Sequence, residues 1–398
     1  MKLSKKVLSL KKSPIRKLFP LARKAEERGT KVYYLNIGQP DLATPKVFLE
    51  SVKKLEQDVI SYAPTRGTEE LLEAVKSYFR RNKIRVKKED ILITNGASEA
   101  LHFAISITCD VDDEVLIPEP FYVNTSFFLN QLGVKKVVIP TKERHGYHLP
   151  RAEKIERLIT PKTRAIIITN PNNPTGTVYS REEIETIKEV ALKHNLFIIA
   201  DEVYSKFVFK PSTHTSFGHL KGLENNLILV DSVSKRYSSC GARIGALVSR
   251  NKEFMEQAFK LASSRLSVST LNQVGATALY NIEDSYFADT AKVYEKRRDA
   301  VLEELKKIPD ISFNIPEGAF YLIVTLPFSN SGVFAKWLLN EFTYEGETVF
   351  VAPAKDFYHS EHRGKNQVRL AFIYEEDILR RAIKVFGEAI KAYPRESF

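Results

Sequence analysis

The stretch from residue 165 to residue 176 reads Ala165-Ile166-Ile167-Ile168-Thr169-Asn170-Pro171-Asn172-Asn173-Pro174-Thr175-Gly176. Its first half is a run of apolar residues with no alternation of apolar and polar positions. This pattern is typical of a strand that is buried on both faces of a sheet. Two X-Pro bonds and a glycine make the second half a rigid loop. The stretch therefore predicts a buried parallel strand that ends in a fixed polar loop.

Six further apolar runs of similar length flank this strand and are separated by amphipathic segments. The additional predicted strands cover 90–94, 114–117, 136–139, 197–201, 227–231 and 244–249. The predicted helices between them cover 98–107, 122–132, 151–159 and 182–193. Strands that alternate with helices favour an α/β fold with a mostly parallel central sheet covered by helices.

The pattern changes towards the end of the chain and predicts a second, smaller α+β domain. A long helix at 284–307 precedes predicted strands at 311–313, 321–324, 349–351 and 368–372 and helices at 332–341 and 376–392. A first helix is predicted at 15–28, ending at Gly29. We expect an N-terminal arm (1–45) that joins the small domain, a large domain (46–285) and a small C-terminal domain (286–398).

Composition excludes several classes of protein. The chain has 398 residues, is 43% hydrophobic and carries a formal charge of +11. Two distant cysteines exclude a disulfide scaffold, and no apolar run approaches the ~20 residues that span a bilayer. The basic N-terminus is not followed by the apolar stretch of a secretory signal. These two absences favour a cytoplasmic protein that does not bind a membrane. Because most basic residues alternate with glutamate on predicted helical faces, we expect no nucleic-acid partner.

Polar motifs follow four of the predicted strands, at the sheet edge where open α/β folds bind ligands. Asn95-Gly96-Ala97-Ser98 opens a helix with small residues, which suits a phosphate group. Asp201-Glu202-Val203-Tyr204 closes an apolar strand with a carboxylate, and Asn173 lies in the proline-containing loop. Ser232-Val233-Ser234-Lys235 offers a lysine that can act as a nucleophile, and Arg243 follows. Each motif alone also fits an ordinary helix start, a turn or a surface residue.

Together and in this order, these motifs resemble those of the class I/II aminotransferases, which are pyridoxal-phosphate enzymes of fold type I. The resemblance runs from Asn36-Ile37-Gly38-Gln39-Pro40-Asp41 to Val368-Arg369-Leu370. It implies a large domain with a mostly parallel sheet, a smaller α+β domain, and pyridoxal 5'-phosphate as cofactor.

The resemblance also implies roles for individual residues around the cofactor ring. Lys235 matches the lysine that binds the cofactor aldehyde and later moves a proton. Asp201 matches the carboxylate on the pyridine nitrogen. Tyr204 and Asn173 match the pair at the phenolic oxygen, and Tyr122 matches the aromatic residue that stacks on the ring.

Further matches concern the cofactor phosphate and the substrate carboxylate. The implied phosphate ligands are Gly96, Ala97, Ser98, Ser232, Ser234 and Arg243, together with Tyr62 of the neighbouring subunit. That last match implies a homodimer with shared active sites. Arg369 matches the arginine that binds the substrate α-carboxylate, with Gly38 and Asn173 beside it.

The implied activity is ping-pong transfer of an amino group, within amino acid metabolism, from an L-amino acid, with aspartate favoured, to a 2-oxo acid such as 2-oxoglutarate. A dicarboxylate donor needs a second cation in the site, and Arg265, Arg66 and Arg16 are all candidates. Arg236 and Cys240 depart from the family pattern. We interpret Cys240 as a small filler, and both residues as able to reshape the pocket edge.

Three alternatives remain open from the sequence. An aromatic or broad-specificity aminotransferase has the same motifs, and so does a pyridoxal-phosphate-dependent C–S lyase. A DNA-binding regulator would need an added helix-turn-helix domain. Only about 35 residues precede Gly38, which is too few for such a domain.

Overall fold

The computed structural model describes residues 2–8 and 16–394. Its helices are α1 (Lys5–Leu8), α2 (Phe19–Glu27), α3 (Val47–Lys53), α4 (Glu69–Arg81), α5 (Ala97–Thr108), α6 (Val123–Leu132), α7 (Ala152–Glu156), α8 (Arg181–Lys193), α9 (Lys252–Ser264), α10 (Thr270–Tyr280), α11 (Ser285–Leu305), α12 (Ser331–Asn340) and α13 (Glu376–Ala392). Its strands are β1 (Lys31–Tyr34), β2 (Ile91–Thr94), β3 (Glu114–Glu119), β4 (Lys135–Pro140), β5 (Thr163–Thr169), β6 (Phe197–Asp201), β7 (Leu227–Ser232), β8 (Gly245–Val248), β9 (Ser312–Phe313), β10 (Tyr321–Thr325), β11 (Glu347–Phe350), β12 (Ala352–Pro353) and β13 (Gln367–Ala371).

The central sheet has seven strands in the order β2-β8-β7-β6-β5-β3-β4. Neighbouring strands from β7 to β4 are parallel, and β8 runs antiparallel to both of its neighbours, β7 and β2. The prediction of an α/β fold with a mostly parallel central sheet is therefore confirmed.

Successive residues of the central strands pack into two different cores. Ile198 belongs to a core shared with α4, α8 and α10, whereas Ile199 belongs to a core shared with α5 and α9. The same division separates Ile166 and Ile168 from Ile167. Because side chains alternate across a strand, an uninterrupted apolar run places apolar side chains on both faces of the sheet.

A second region is built on a four-stranded sheet, in the order β12-β13-β10-β9, whose neighbours are all antiparallel. Its core also receives Ala22 from α2 and Leu35 after β1, and β1 pairs in parallel with β11. The N-terminal segment thus packs with the C-terminal part of the chain. The same core includes Tyr204 and Phe207, so it continues into the large sheet region. The division of the chain at residues 45 and 285 stays a prediction.

Several elements differ from the predictions. The helix predicted at 15–28 is α2, which begins at Phe19, and residue 15 lies outside the described residues. Helix α7 is shorter than the predicted 151–159. Helices α3, α4, α9 and α10 and strand β1 were not predicted. A signal for α4 was present, because Thr68 caps it by accepting a hydrogen bond from the Leu71 N–H at 3.4 Å.

Among residues 2–8 and 16–394, no helix combines the length and the apolar character needed to cross a bilayer.

Candidate active site

Polar residues from several strand ends line one cleft with a volume of about 560 Å³. Its lining includes the predicted residues Ala97, Ser98, Tyr122, Asn173, Asp201, Tyr204, Ser232, Ser234, Lys235 and Arg243, and also Arg16, Gln39 and Cys240. These residues are scattered along the sequence but meet at the carboxyl edge of the parallel strands. The predicted site residues that line this cleft are therefore close together in space.

Lys235 lies at the floor of this cleft. Its Nζ donates a hydrogen bond to the Gly38 carbonyl at 2.8 Å and lies 3.9 Å from Cys240 Sγ. Burial lowers the pKa of Lys235, but Tyr321, Cys240 and Tyr122 raise it by more, so the net pKa shift is upward. The amine is thus held at a defined point by a backbone carbonyl.

Asp201 is a buried carboxyl group at the end of β6, with 4% of its surface exposed. It accepts one hydrogen bond, from the Val203 N–H at 3.3 Å. Burial raises the pKa of Asp201 to about 7, and the charge of Asp231 adds to this shift, whereas Lys235 opposes it. Across the described parts of the chain, no cation forms an ion pair with it. This carboxyl group can therefore accept a proton or a cationic N–H from a ligand.

Asn173 connects the two sides of the cleft. Its Nδ2 donates to Tyr204 Oη at 3.3 Å, and its Oδ1 accepts from Arg369 Nη1 at 3.1 Å. Tyr204 Oη also lies 3.0 Å from Tyr321 Oη. Tyr321 was not among the predicted site residues.

Arg369 is a buried arginine on β13, with 1% of its surface exposed. Its Nη2 donates to the Asn36 carbonyl at 2.5 Å, and its Nε has no hydrogen-bond partner. Its guanidinium packs on the rings of Tyr321 and Phe357 at 4.5 and 5.1 Å. Burial lowers the pKa of Arg369, and no carboxylate of the described residues pairs with it. A buried guanidinium with an unused N–H suits a carboxylate ligand.

The start of α5 forms a cradle for an anion. Helix α5 follows Gly96, whose φ is +73°, and no side chain caps its first turn. A Cβ on Gly96 would collide with Arg243 Nη2, and one on Gly245 would lie 2.6 Å from the Gly96 carbonyl carbon. Ser232 Oγ lies 2.8 Å from Ser234 Oγ. Backbone N–H groups, hydroxyls and a guanidinium in this arrangement suit a phosphate.

Other predicted residues lie outside the cleft lining. Tyr62 has 80% of its surface exposed. Gly38 takes part through its carbonyl, and a Cβ there would collide with Tyr321 Oη. Arg265 pairs with Glu99 at 3.0 Å. Arg66 donates to the Glu89 carbonyl at 2.9 Å. Of the three candidate arginines, Arg16 alone lines the cleft.

The two departures from the family pattern have different positions. Cys240 lines the cleft, and its Sγ donates to the Ser234 carbonyl at 3.1 Å. Arg236 is fully buried on the other face of the sheet, where it pairs with Asp231. The expectation that Arg236 reshapes the pocket edge is wrong, because its side chain points away from the cleft.

The fold and these side chains together define an enzyme of the fold type I class. A family model described as "Aminotransferase class I and II" matches residues 30–385. The chain is 31% identical to an aspartate aminotransferase of Bacillus subtilis, over 96% of this chain and 98% of that protein. It is also 31% identical to an aromatic-amino-acid aminotransferase 2 of Thermococcus litoralis, over 98% and 99%.

A solved structure of similar shape is described as aspartate aminotransferase from Thermus thermophilus with maleate. Its TM-score is 0.89 at 28% identity, and the match covers 98% of this chain and 100% of that one. The chain therefore belongs to the class I and II aminotransferases, and it is a transaminase.

Proposed function

We propose that this transaminase holds pyridoxal 5'-phosphate through Lys235 and moves the amino group of L-aspartate to a 2-oxo acid such as 2-oxoglutarate in a ping-pong cycle. The observation that carries this proposal is that Lys235 and Asp201 line the same cleft. The Lys235 amine is hydrogen-bonded to a backbone carbonyl, and the buried Asp201 carboxyl group forms no ion pair with a cation of the described residues. The unpaired cysteines, Cys109 and Cys240, fit a reducing cytoplasm.

The residues of the cleft fit each part of this cofactor. When bound, pyridoxal phosphate supplies a ring that withdraws electrons from the substrate Cα. Asp201 would hold the ring nitrogen in its protonated form, and that positive charge would favour the ionised carboxylate. The N-terminus of α5, Ser232, Ser234 and Arg243 bind the phosphate.

The substrate would be oriented by Arg369, which contacts the cleft residue Asn173. Arg369 binds the α-carboxylate through its unused Nε and its adjoining Nη groups, and Asn173 keeps the guanidinium in place. Lys235 Nζ would accept and return the proton at the substrate Cα. The Gly38 carbonyl keeps this amine at the substrate side of the cleft.

The preference for aspartate rests on the relatives and on Arg16. The Bacillus subtilis relative is named an aspartate aminotransferase, and the Thermus thermophilus structure contains maleate, a dicarboxylate. Arg265 and Arg66 are engaged elsewhere, whereas Arg16 lines the cleft, and no ion pair of Arg16 occurs within the described ranges. We infer that Arg16 binds the side-chain carboxylate. An aromatic donor is the second candidate, because the Thermococcus litoralis relative is equally similar.

A homodimer is supported by an exposed apolar segment near Tyr62. Val59 and Ile60 are 70% and 61% exposed, and Tyr62 follows them. Contiguous exposed apolar side chains mark an interaction surface. A second copy of the chain would cover this segment and receive Tyr62 at its phosphate site.

The experiment is an absorbance spectrum of the purified protein before and after single L-amino acids are added without an oxo acid. A near-visible band that moves towards the ultraviolet with aspartate is the expected result. A shift with aromatic amino acids alone would select the second candidate. A band that stays while pyruvate or ammonia appears would indicate a lyase, and no band after cofactor is added would refute the proposal.

A further inference from the structure

Arg236 directly follows Lys235, but its side chain lies on the opposite face of the sheet. Its surface is 1% exposed, and its guanidinium forms a bidentate pair with Asp231, with Nη2 2.7 Å from Oδ2. Tyr280 donates a third hydrogen bond to Asp231 at 2.9 Å. The turn that carries Lys235 is thus anchored from behind to the strand that precedes it.

Aromatic rings enclose this ion pair. The Arg236 guanidinium lies 4.3 Å from the ring centre of Tyr78 and 5.1 Å from those of Tyr237 and Tyr280. Tyr78 belongs to α4 and Tyr280 to α10. The ion pair therefore lies between the sheet and two helices, shielded from water.

The strand register places Asp231 next to Asp201, on the other side of the sheet. Asp201 on β6 is opposite Val230 on β7, and Val230 packs in the core with α5. Side chains alternate across a strand, so Asp231 points to the face covered by α4 and α10. Neighbouring strands are only about 4.8 Å apart. A charge on Asp231 is therefore close to the carboxylate of the cofactor cleft.

Other titratable groups surround Asp231 on the same face. Glu202, Lys206, His214 and His219 line, with Asp231, a cavity of about 170 Å³ behind the sheet. Burial raises the pKa of Glu202 to about 8 and lowers the pKa of His214 to about 4, and both shifts favour the neutral form of the group. Lys206 donates to Asn82 and packs on Tyr78 and Phe287. Arg236 is the cation that pairs with Asp231.

We propose that Arg236 is a positioning residue for the cofactor site. By pairing with Asp231 behind the sheet, it cancels the negative charge nearest to Asp201 and anchors the turn of Lys235. Asp201 can then stay ionised opposite the ring nitrogen, because a like charge beside it would favour its protonated form. This inference rests on the proposed cofactor. Buried ion pairs are often no more stabilising than apolar replacements, so the pair is weak evidence for a purely structural role.

The test compares Arg236→Met with the double variant Asp231→Asn/Arg236→Met. The single variant leaves Asp231 without its cation, whereas the double variant removes both charges. We expect the dissociation constant for pyridoxal phosphate, measured by absorbance titration of cofactor-free protein, to rise at least tenfold in Arg236→Met. The pH midpoint of the near-visible band should shift as well. The double variant should recover most of both properties.

Two further variants serve as controls. Arg236→Lys keeps the charge and should bind cofactor within a few-fold of wild type, which tests the inference even where Arg236→Met does not fold. Arg298→Met removes a largely buried arginine that pairs with Asp299 at 2.8 Å and packs on Phe209. It should lower the melting temperature without changing cofactor affinity.

The outcomes separate this inference from the proposed function. A wild-type protein without the band would overturn both. A wild-type band together with unchanged affinity and unchanged pH midpoint in Arg236→Met would overturn the inference alone. A double variant as impaired as Arg236→Met, or an impaired Arg236→Lys, would also overturn it, because the charge of Asp231 would then not be the cause.

Discussion

Asn173 shows how one side chain joins two functions at the scale of a residue. Its amide nitrogen donates towards Tyr204, and its amide oxygen accepts from Arg369. The two ends of the amide are therefore oriented by different partners, and neither can turn without loss of a buried hydrogen bond. Through this residue, the guanidinium proposed to bind the substrate carboxylate is coupled to the phenol proposed to lie beside the cofactor ring.

Substitution of Lys235 tests the central group of the site. Lys235→Ala should remain folded, lose the near-visible band and lose at least about 10²-fold to 10⁴-fold in turnover, the usual contribution of a positioned proton-transfer group. Lys193→Ala, which removes an exposed lysine paired with Glu156, is the control and should keep full activity. Retention of activity in Lys235→Ala would contradict the mechanism.

Arg16 and Arg369 should differ in which substrates they affect. Arg16→Met should raise KM about fivefold for aspartate and 2-oxoglutarate alone, since an exposed ion pair contributes up to ~1 kcal/mol. Arg369→Met should raise KM about 10- to 100-fold for every amino acid, because all carry the α-carboxylate and a buried charged hydrogen bond contributes ~1.5–3 kcal/mol. Steady-state kinetics with aspartate and alanine distinguish the two. An equal effect of Arg16→Met on both amino acids would rule out its proposed role.

At the scale of elements, polar side chains connect the end of β3 to the loop between β12 and β13. Glu119 is 0% exposed and accepts hydrogen bonds from the Ser360 N–H at 2.7 Å and from Arg363 Nη1 at 3.1 Å. The next residues lead to Tyr122 at the cleft. The position of the cleft wall thus depends on a buried carboxylate that is fully hydrogen-bonded.

Glu119→Ala should lower the free energy of unfolding by ~1–3 kcal/mol, because it removes the buried acceptor of the half-buried Arg363 guanidinium and of the Ser360 N–H. Urea unfolding followed by circular dichroism measures this change. Glu156→Ala, at an exposed ion pair with Lys193, should change the free energy of unfolding by less than ~1 kcal/mol. Similar losses in the two variants would show that the Glu119 network contributes little.

His148 connects α8 to the segment before β10. Its Nδ1 lies 2.9 Å from Glu183 and its Nε2 lies 3.4 Å from Glu317. Hydrogen bonds with Glu183 and Glu317 raise the pKa of His148 to about 10. Because the folded-state pKa lies above the ordinary value near 6.5, this stabilisation is complete below about pH 6.5 and is lost as the pH rises through 10.

His148→Gln should therefore lower the free energy of unfolding at pH 6 and do so less and less towards pH 10. Chemical unfolding at pH 6, 8 and 10 measures the trend, and the exposed part of the side chain keeps the effect modest. His145→Gln, three residues earlier, is the matched control. A loss that is the same at all three pH values would show that the charge of His148 does not matter.

At the scale of the whole molecule, the site needs more than one part of the chain. Asn36 and Gly38 come from the N-terminal segment and Arg369 from β13, yet both parts meet at Lys235 and Asn173. The N-terminal segment is held there because its apolar residues share the core of the C-terminal region. If the proposed dimer forms, Tyr62 adds a contribution from a second chain.

Mixing two inactive variants tests that contribution. If each site combines Lys235 of one chain with Tyr62 of the other, a mixed dimer of Lys235→Ala and Tyr62→Ala chains has one intact site and one site in which both residues are replaced. At limiting cofactor, the mixture should regain roughly a quarter of wild-type activity, because half of the dimers are mixed and each has one intact site. No recovery would show that Tyr62 acts within its own chain or not at all.

Part of the fold was predictable because its signal is local. The uninterrupted apolar runs at β5, β6 and β7 indicated strands buried on both faces, and the residues after them were expected at one sheet edge. Helix α10 was missed because most of its side chains are apolar or small, so no clear amphipathic pattern marks it. Strand β1 is only four residues long, and its pairing with β11 joins residues more than 300 positions apart.

The sequence by itself determined the class of the fold, the strand-end motifs and the chemical type of each candidate residue, because these depend on local composition and order. Only the tertiary structure decided the unused Nε of Arg369, the hydrogen bond between Tyr204 and Tyr321, the engagement of Arg265 and Arg66, and the direction of Arg236. These features depend on which distant side chains lie within a few ångströms. That proximity results from packing across the whole chain, and no local pattern encodes it.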